Sequence, residues 1–327
     1  MVLAVAHACQ SGRFNLPLPL SIRYINGMNR SRRVALWALV VSWAVLALKL
    51  GAFLLTGSMA LLSDAAESLV NVTGALSVVL AVRLAARPPD YEHPYGHAKA
   101  EYLSSALEGA LVLGSAVWIV VTSAPKLIQP EPLEQTGVGL GLLLVATLIN
   151  LMAARGFARA GVQLDSSALV AHASHLRTDV WTSAGVGLGV ILVATTGWFR
   201  VDAAVALVVS VGVGREGILL LKRAASNLMD VRLSDDDEAA VMRRFDAHPD
   251  VLGFHRLRTR QAGRLRFVDA DVFVDPALTV HEAHEIVTAV EDAISSDLGG
   301  ATVTLHAEPY EPGVRDTTSR PKDEFGR

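Results

Sequence analysis

Residues 57–72 read GSMALLSDAAESLVNV, and residues 171–186 read AHASHLRTDVWTSAGV. Each is an apolar helical stretch crossed by a polar stripe. In the first, Asp64, Glu67 and Asn71 fall at i, i+3 and i+7; in the second, His172, His175 and Asp179 repeat that spacing. Residues three and four apart share a helix face. The pairs Glu67/Asn71 and His175/Asp179 therefore each present two oxygen or nitrogen donors side by side. Two such faces brought together offer four ligands, the number a tetrahedral divalent cation takes. Hydrocarbon solvates these groups poorly, so a polar stripe inside a membrane span marks function.

The rest of the composition supports a membrane protein. The chain has 327 residues, 51% of them hydrophobic, and a mean hydropathy of +0.39. The apolar excess ends near Arg223. This divides the chain into an N-terminal extension over 1–33, a membrane domain over 34–223, a soluble domain over 224–312 and a disordered tail over 313–327. The extension has no clean apolar run of signal-peptide length, and Met28 offers an alternative start. A formal net charge of -3 implies no nucleic-acid partner. Cys9 is the only cysteine, which excludes an intrachain disulfide and a thiolate metal cluster. Any metal site must use histidine, carboxylate and amide ligands.

Six apolar stretches, near 34–55, 59–82, 104–128, 137–155, 176–197 and 201–221, approach the roughly 20 residues a bilayer crossing needs. Lys49 and Glu108 are charges well inside otherwise apolar stretches of the first and third spans, and Lys49 reads as a snorkelling or ion-paired side chain. Arg30, Arg32, Arg33, Arg83, Arg87, Lys99, Arg155, Arg159, Lys222 and Arg223 flank one side of these spans, against Lys126 and Arg200 on the other. The positive-inside rule then predicts both termini in the cytoplasm of a multi-pass cell-membrane protein.

Beyond Leu233 the pattern is soluble. Ser234 before three aspartates predicts a helix N-cap, to be followed by two alternating strands around an AGR turn. Thr279 and Glu282 form a capping box ahead of a second helix, and ATVTLHAEP is a last strand. The predicted fold is six transmembrane α-helices followed by a small α+β domain of order α-β-β-α-β. Metal-type residues recur outside the spans. The loop after the second span holds Asp90, His93 and His97, and the soluble domain holds His255, Asp271, His284, His306 and Glu308.

These stretches, with HPYGHAKAE, VDAAVAL and HRLRTRQAGRLRFVDADVFVD, resemble the cation diffusion facilitator transporters over residues 34 to about 310. The resemblance implies a homodimer that exports divalent metal from the cytoplasm, usually against an inward flow of protons. It places the intramembrane ligands on Glu67, Asn71, His175 and Asp179, and loop ligands on Asp90, His93 and His97. Its cytoplasmic metal positions fall on His255, Asp271, His284, His306 and Glu308. Asn71 departs from a more usual aspartate, Asp271 stands where zinc-handling members have histidine, and His172 stands where many have aspartate.

The resulting expectation is a secondary active transporter, not an enzyme, with a divalent cation as substrate and regulator. Zinc leads; mixed nitrogen and oxygen ligands also admit iron, manganese, cobalt and nickel. A membrane metal sensor without transport is the alternative reading. An intramembrane metallohydrolase is a further one, disfavoured because no HExxH occurs.

Overall fold

Unbroken apolar runs make long helices because every backbone polar group must be satisfied within its own segment in lipid. The computed structural model of the chain describes residues 20–56, 59–129 and 137–311. The described residues begin with six helices of 27 to 37 residues: α1 Leu20–Thr56, α2 Met59–Ala85, α3 Ala100–Ile128, α4 Gly137–Gln163, α5 Ser167–Thr196 and α6 Arg200–Leu228. Among the described residues four stretches are long and apolar enough to cross a bilayer: Asn29–Gly51, Ser68–Ala85, Ala100–Ile128 and Ala203–Leu228. Helix α1 starts at Leu20, within the stretch read as an N-terminal extension. Residues 1–19 and the tail 313–327 lie outside the described residues.

The bundle's outer surface carries exposed Trp37, Trp43, Leu54, Trp118, Trp181 and Val208. An apolar surface on this scale suits lipid and not water. Inside, α3 packs on α6, α1 on α2, α4 on α5, and α5 also on α2, α3 and α6. Small residues let backbones meet in a bilayer. A Cβ added at Gly217 of α6 would sit 2.8 Å from the Leu113 backbone nitrogen and 3.1 Å from the Gly109 carbonyl oxygen of α3. This contact locks α3 at its middle, beside Glu108.

Helix α5 begins where Ser166 accepts a hydrogen bond from the Leu169 amide. Buried Glu101 of α3 reinforces that start. Its Oε2 accepts from Ser166 Oγ at 2.5 Å and from the Ala168 amide at 3.5 Å. A carboxylate beside unpaired N–H groups complements the helix dipole.

The soluble domain follows the predicted order: α7 Asp235–Ala247, β1 Gly253–Ala262, β2 Leu265–Val274, α8 Val280–Asp297 and β3 Thr302–Pro309. Both sequence-predicted caps form: Ser234 accepts from the Asp237 amide, and Thr279 with Glu282 closes a capping box. Strand β1 pairs antiparallel with β2, and β2 pairs parallel with β3, so α8 is the crossover. Phe254, Val268, Val272 and Leu305 face the helices and pack with Phe245, Val290 and Ile294 in one core.

The β1–β2 hairpin tip rests on the membrane domain. Gly263 donates its amide to Tyr102 Oη at 2.7 Å, and Tyr102 donates to the Gln261 carbonyl at 3.3 Å. Arg264 bonds Ser31. Lys99 pairs with Asp230 at 2.9 Å, a hydrogen bond that holds the Asp230 carboxyl below its ordinary value.

Candidate metal sites

Asn71 of the α2 stripe meets the α5 stripe inside the bundle. Asn71 is 3% exposed, His175 2% and Asp179 5%. Asn71 Nδ2 donates to Asp179 Oδ2 at 2.6 Å across the two helices. His175 Nε2 stands 3.9 Å from Asp179 Oδ1, one turn away on the same face. Two ligands on one tetrahedral zinc, each about 2.0–2.1 Å from the metal, lie about 3.3 Å apart. The His175/Asp179 gap is therefore within about half an ångström of what one cation would draw together. Asn71 Oδ1 is buried with no hydrogen-bond partner among the described residues. A buried amide oxygen without a donor is costly unless something cationic meets it. Three of the four sequence-assigned ligands thus converge, and the Glu67 side chain lies outside the described residues.

Two further residues join this cluster. Glu108 and His172 are both fully buried. His172, on the α5 stripe, is not at a solvated helix end but inside the bundle, against Glu108. Glu108 stood out in the sequence only as a lone acid in an apolar span. Lys49, expected to snorkel or pair, is buried in α1.

The loop between α2 and α3 forms a second group. One donor atom from each of Asp90, His93 and His97 lies within 4.8 Å of the others. The His93 amide donates to Asp90 Oδ1 at 2.7 Å, and with both imidazoles nearby it holds the Asp90 carboxyl below its usual range. The His93 and His97 rings lie 4.5 Å apart, and His97 Nδ1 is buried without a partner among the described residues.

In the soluble domain, sheet register puts His255, Asp271 and His306 in one row across the three strands. Donor atoms of His255, Asp271 and Glu308 lie within 4.8 Å of one another. His255 Nε2 is 2.9 Å from Glu308 Oε2 and 3.4 Å from Asp271 Oδ2. Arg256, at a bulge in β1 with φ of 52°, pairs with Asp271 at 3.2 Å. His306 and His284 do not join this group and are exposed. His284 is on α8, whose packed face covers the other side of the sheet, so helix and sheet separate it from the three.

Residues 35–229 match the cation efflux transmembrane domain, and residues 233–310 match the cation efflux protein cytoplasmic domain. An uncharacterized transporter of Synechocystis is 42% identical over 86% of this chain and 91% of its own. The cation-efflux pump FieF of Klebsiella pneumoniae is 33% identical over 85% of this chain and 92% of its own. A solved nickel form of a MamM CTD variant is 28% identical over 24% of this chain and 100% of its own, with a TM-score of 0.23. Matched along both of its domains, the chain belongs to the cation diffusion facilitator family, multi-pass membrane proteins that carry out divalent metal cation efflux and are transporters rather than enzymes.

Proposed function

We propose that the chain is a proton-coupled antiporter that exports divalent cations, zinc first, from the cytoplasm across the cell membrane. In this reading it works as a homodimer with six spans and both termini cytoplasmic. The observation that carries it is the buried meeting of Asn71, His175 and Asp179 between α2 and α5. Glu67, one turn before Asn71 on the same helix, completes the set. Metal needs a neutral imidazole and ionised carboxylates, so cation and protons compete for one site. A site that holds either, opened alternately to each side, exchanges one for the other.

The test is uptake into vesicles containing the purified protein. An imposed pH gradient is expected to drive zinc against its own gradient, and a protonophore to stop it. Zinc flux indifferent to the pH gradient would remove the coupling; absence of any flux would favour a sensor.

The cytoplasmic His255, Asp271 and Glu308 group is proposed as a regulatory metal site, with His306 and His284 contributed across the dimer. A cation bound there replaces the Arg256 guanidinium as the positive partner of Asp271. Binding only the folded state stabilises by mass action, about 2.7 kcal/mol at a hundredfold excess over Kd. A fragment spanning 224–312 is therefore expected to melt higher with zinc, and the His255→Ala fragment to lose that gain. A wild-type fragment whose melting ignores zinc, cobalt, manganese and iron alike would count against the site.

A further inference from the structure

Glu108 lies in the middle of α3, fully buried, in a span that otherwise reads as apolar. A buried carboxylate is costly unless it is paired and hydrogen-bonded. Here both of its oxygens are used, each by a different histidine of α5. Oε1 accepts from His172 Nδ1 at 2.8 Å, and Oε2 accepts from His175 Nδ1 at 2.5 Å. Space for this comes from α2, where a Cβ at Gly74 would lie 2.6 Å from Glu108 Oε1. The α3–α6 contact at Gly109 and Gly217 holds the helix that carries it. Three helices therefore cooperate to put one carboxylate behind two imidazoles.

The chemistry of the pair sets the direction of the ring. An ionised carboxylate only accepts, so each Nδ1 carries the hydrogen and each neutral imidazole keeps its lone pair on Nε2. For His175 that lone pair is the one 3.9 Å from Asp179 Oδ1, on the side where Asn71 also lies. A carboxylate behind a metal-binding histidine fixes the tautomer and orientation of the ring and raises its basicity as a ligand. We infer that Glu108 is the positioning residue of the intramembrane cation site, holding His175 by Nδ1 so that Nε2 is the atom offered to the cation. His172 is the second anchor, fixing the Glu108 carboxylate through its other oxygen. The inference rests on the reading of His175 as a ligand.

The test compares full-length wild type with Glu108→Gln, Glu108→Asp and His175→Ala in vesicles. Initial uptake is measured over a concentration series of zinc, cobalt, manganese and iron. Loss of such a supporting group typically costs 10- to 100-fold in metal affinity. Glu108→Gln keeps the shape but has one acceptor oxygen for two N–H groups. It is expected to raise the half-saturating metal concentration about tenfold or more and to change the ranking among metals. Transport should persist at high metal, and the metal-free unfolding temperature should stay close to wild type. Glu108→Asp keeps two acceptors and should fall between; it also carries the test if Glu108→Gln does not fold.

Wild-type half-saturation and ranking in the folded Glu108 variants would overturn the inference. So would total loss of flux at every concentration, because Glu108 would then be a ligand itself. A lowered unfolding temperature with unchanged half-saturation in the folded fraction would assign a purely structural role, and also overturns it. His175→Ala separates this from the underlying site: if that variant transports normally, the site reading itself fails, whatever Glu108 does.

Discussion

Replacing Asp179 or His175 by alanine is expected to reduce cation flux to background while leaving the bundle folded. The reason is geometric. Among the described residues, Asp179 faces two other members of the proposed site, Asn71 at 2.6 Å and His175 at 3.9 Å. Alanine at 179 removes the carboxylate that faces both Asn71 and the His175 Nε2, and leaves the Asn71 amide without its acceptor. An unsatisfied buried donor costs about 1–3 kcal/mol, which six packed helices can absorb. Alanine at 175 removes the imidazole but leaves Glu108 bonded to His172. Measured flux in vesicles, beside the unfolding temperature of each purified variant, separates lost function from lost fold. Near-normal flux in either folded variant would sink the site assignment.

The second large effect is expected from Asn71→Asp. Asn71 donates to Asp179 Oδ2, and its own Oδ1 has no partner among the described residues. An aspartate there turns a hydrogen bond into two facing carboxylates at the same spacing. At an effective dielectric near 20, two like charges about 4 Å apart repel by about 4 kcal/mol. A bound divalent cation relieves that repulsion, so the variant should hold metal more tightly. The native Glu67, Asn71, Asp179 and His175 set carries two negative charges and leaves a bound divalent cation near neutral; the variant adds a third. Competitive uptake by wild type and Asn71→Asp in matched vesicles should therefore show a changed preference among zinc, manganese, iron and cobalt. An unchanged ranking with unchanged pH dependence would place Asn71 outside the coordination shell and direct attention to Asp64.

Much of this was legible from local pattern. The caps at Ser234 and Thr279 involve residues three apart, and both form as the spacing predicts. The hairpin turn at Gly263 follows from a residue that tolerates its φ of 57°. The α5 stripe was visible because i, i+3 and i+7 geometry is built into a single helix. The resemblance assigned one cytoplasmic ligand set, whereas within one protomer the structure groups His255, Asp271 and Glu308 and leaves His284 and His306 apart. His306 shares a sheet row with Asp271, yet it is the Glu308 side chain that reaches the His255 ring, a matter of side-chain reach across strands.

The sequence by itself determined the apolar runs that make the long helices, the soluble α-β-β-α-β order, and which polar residues share a face. All of these depend on interactions within a few residues. Only the tertiary structure decided which faces meet. That Asn71 bonds Asp179 across 108 positions, and that Glu108 reaches His172 and His175 from a third helix, depends on how distant helices pack. That packing is set by close backbone approach at Gly109 and Gly217, by the room Gly74 leaves for the Glu108 carboxylate, and by the need to pair every charge excluded from water. A lone glutamate in an apolar run states that need; its partners become known only when the helices are assembled.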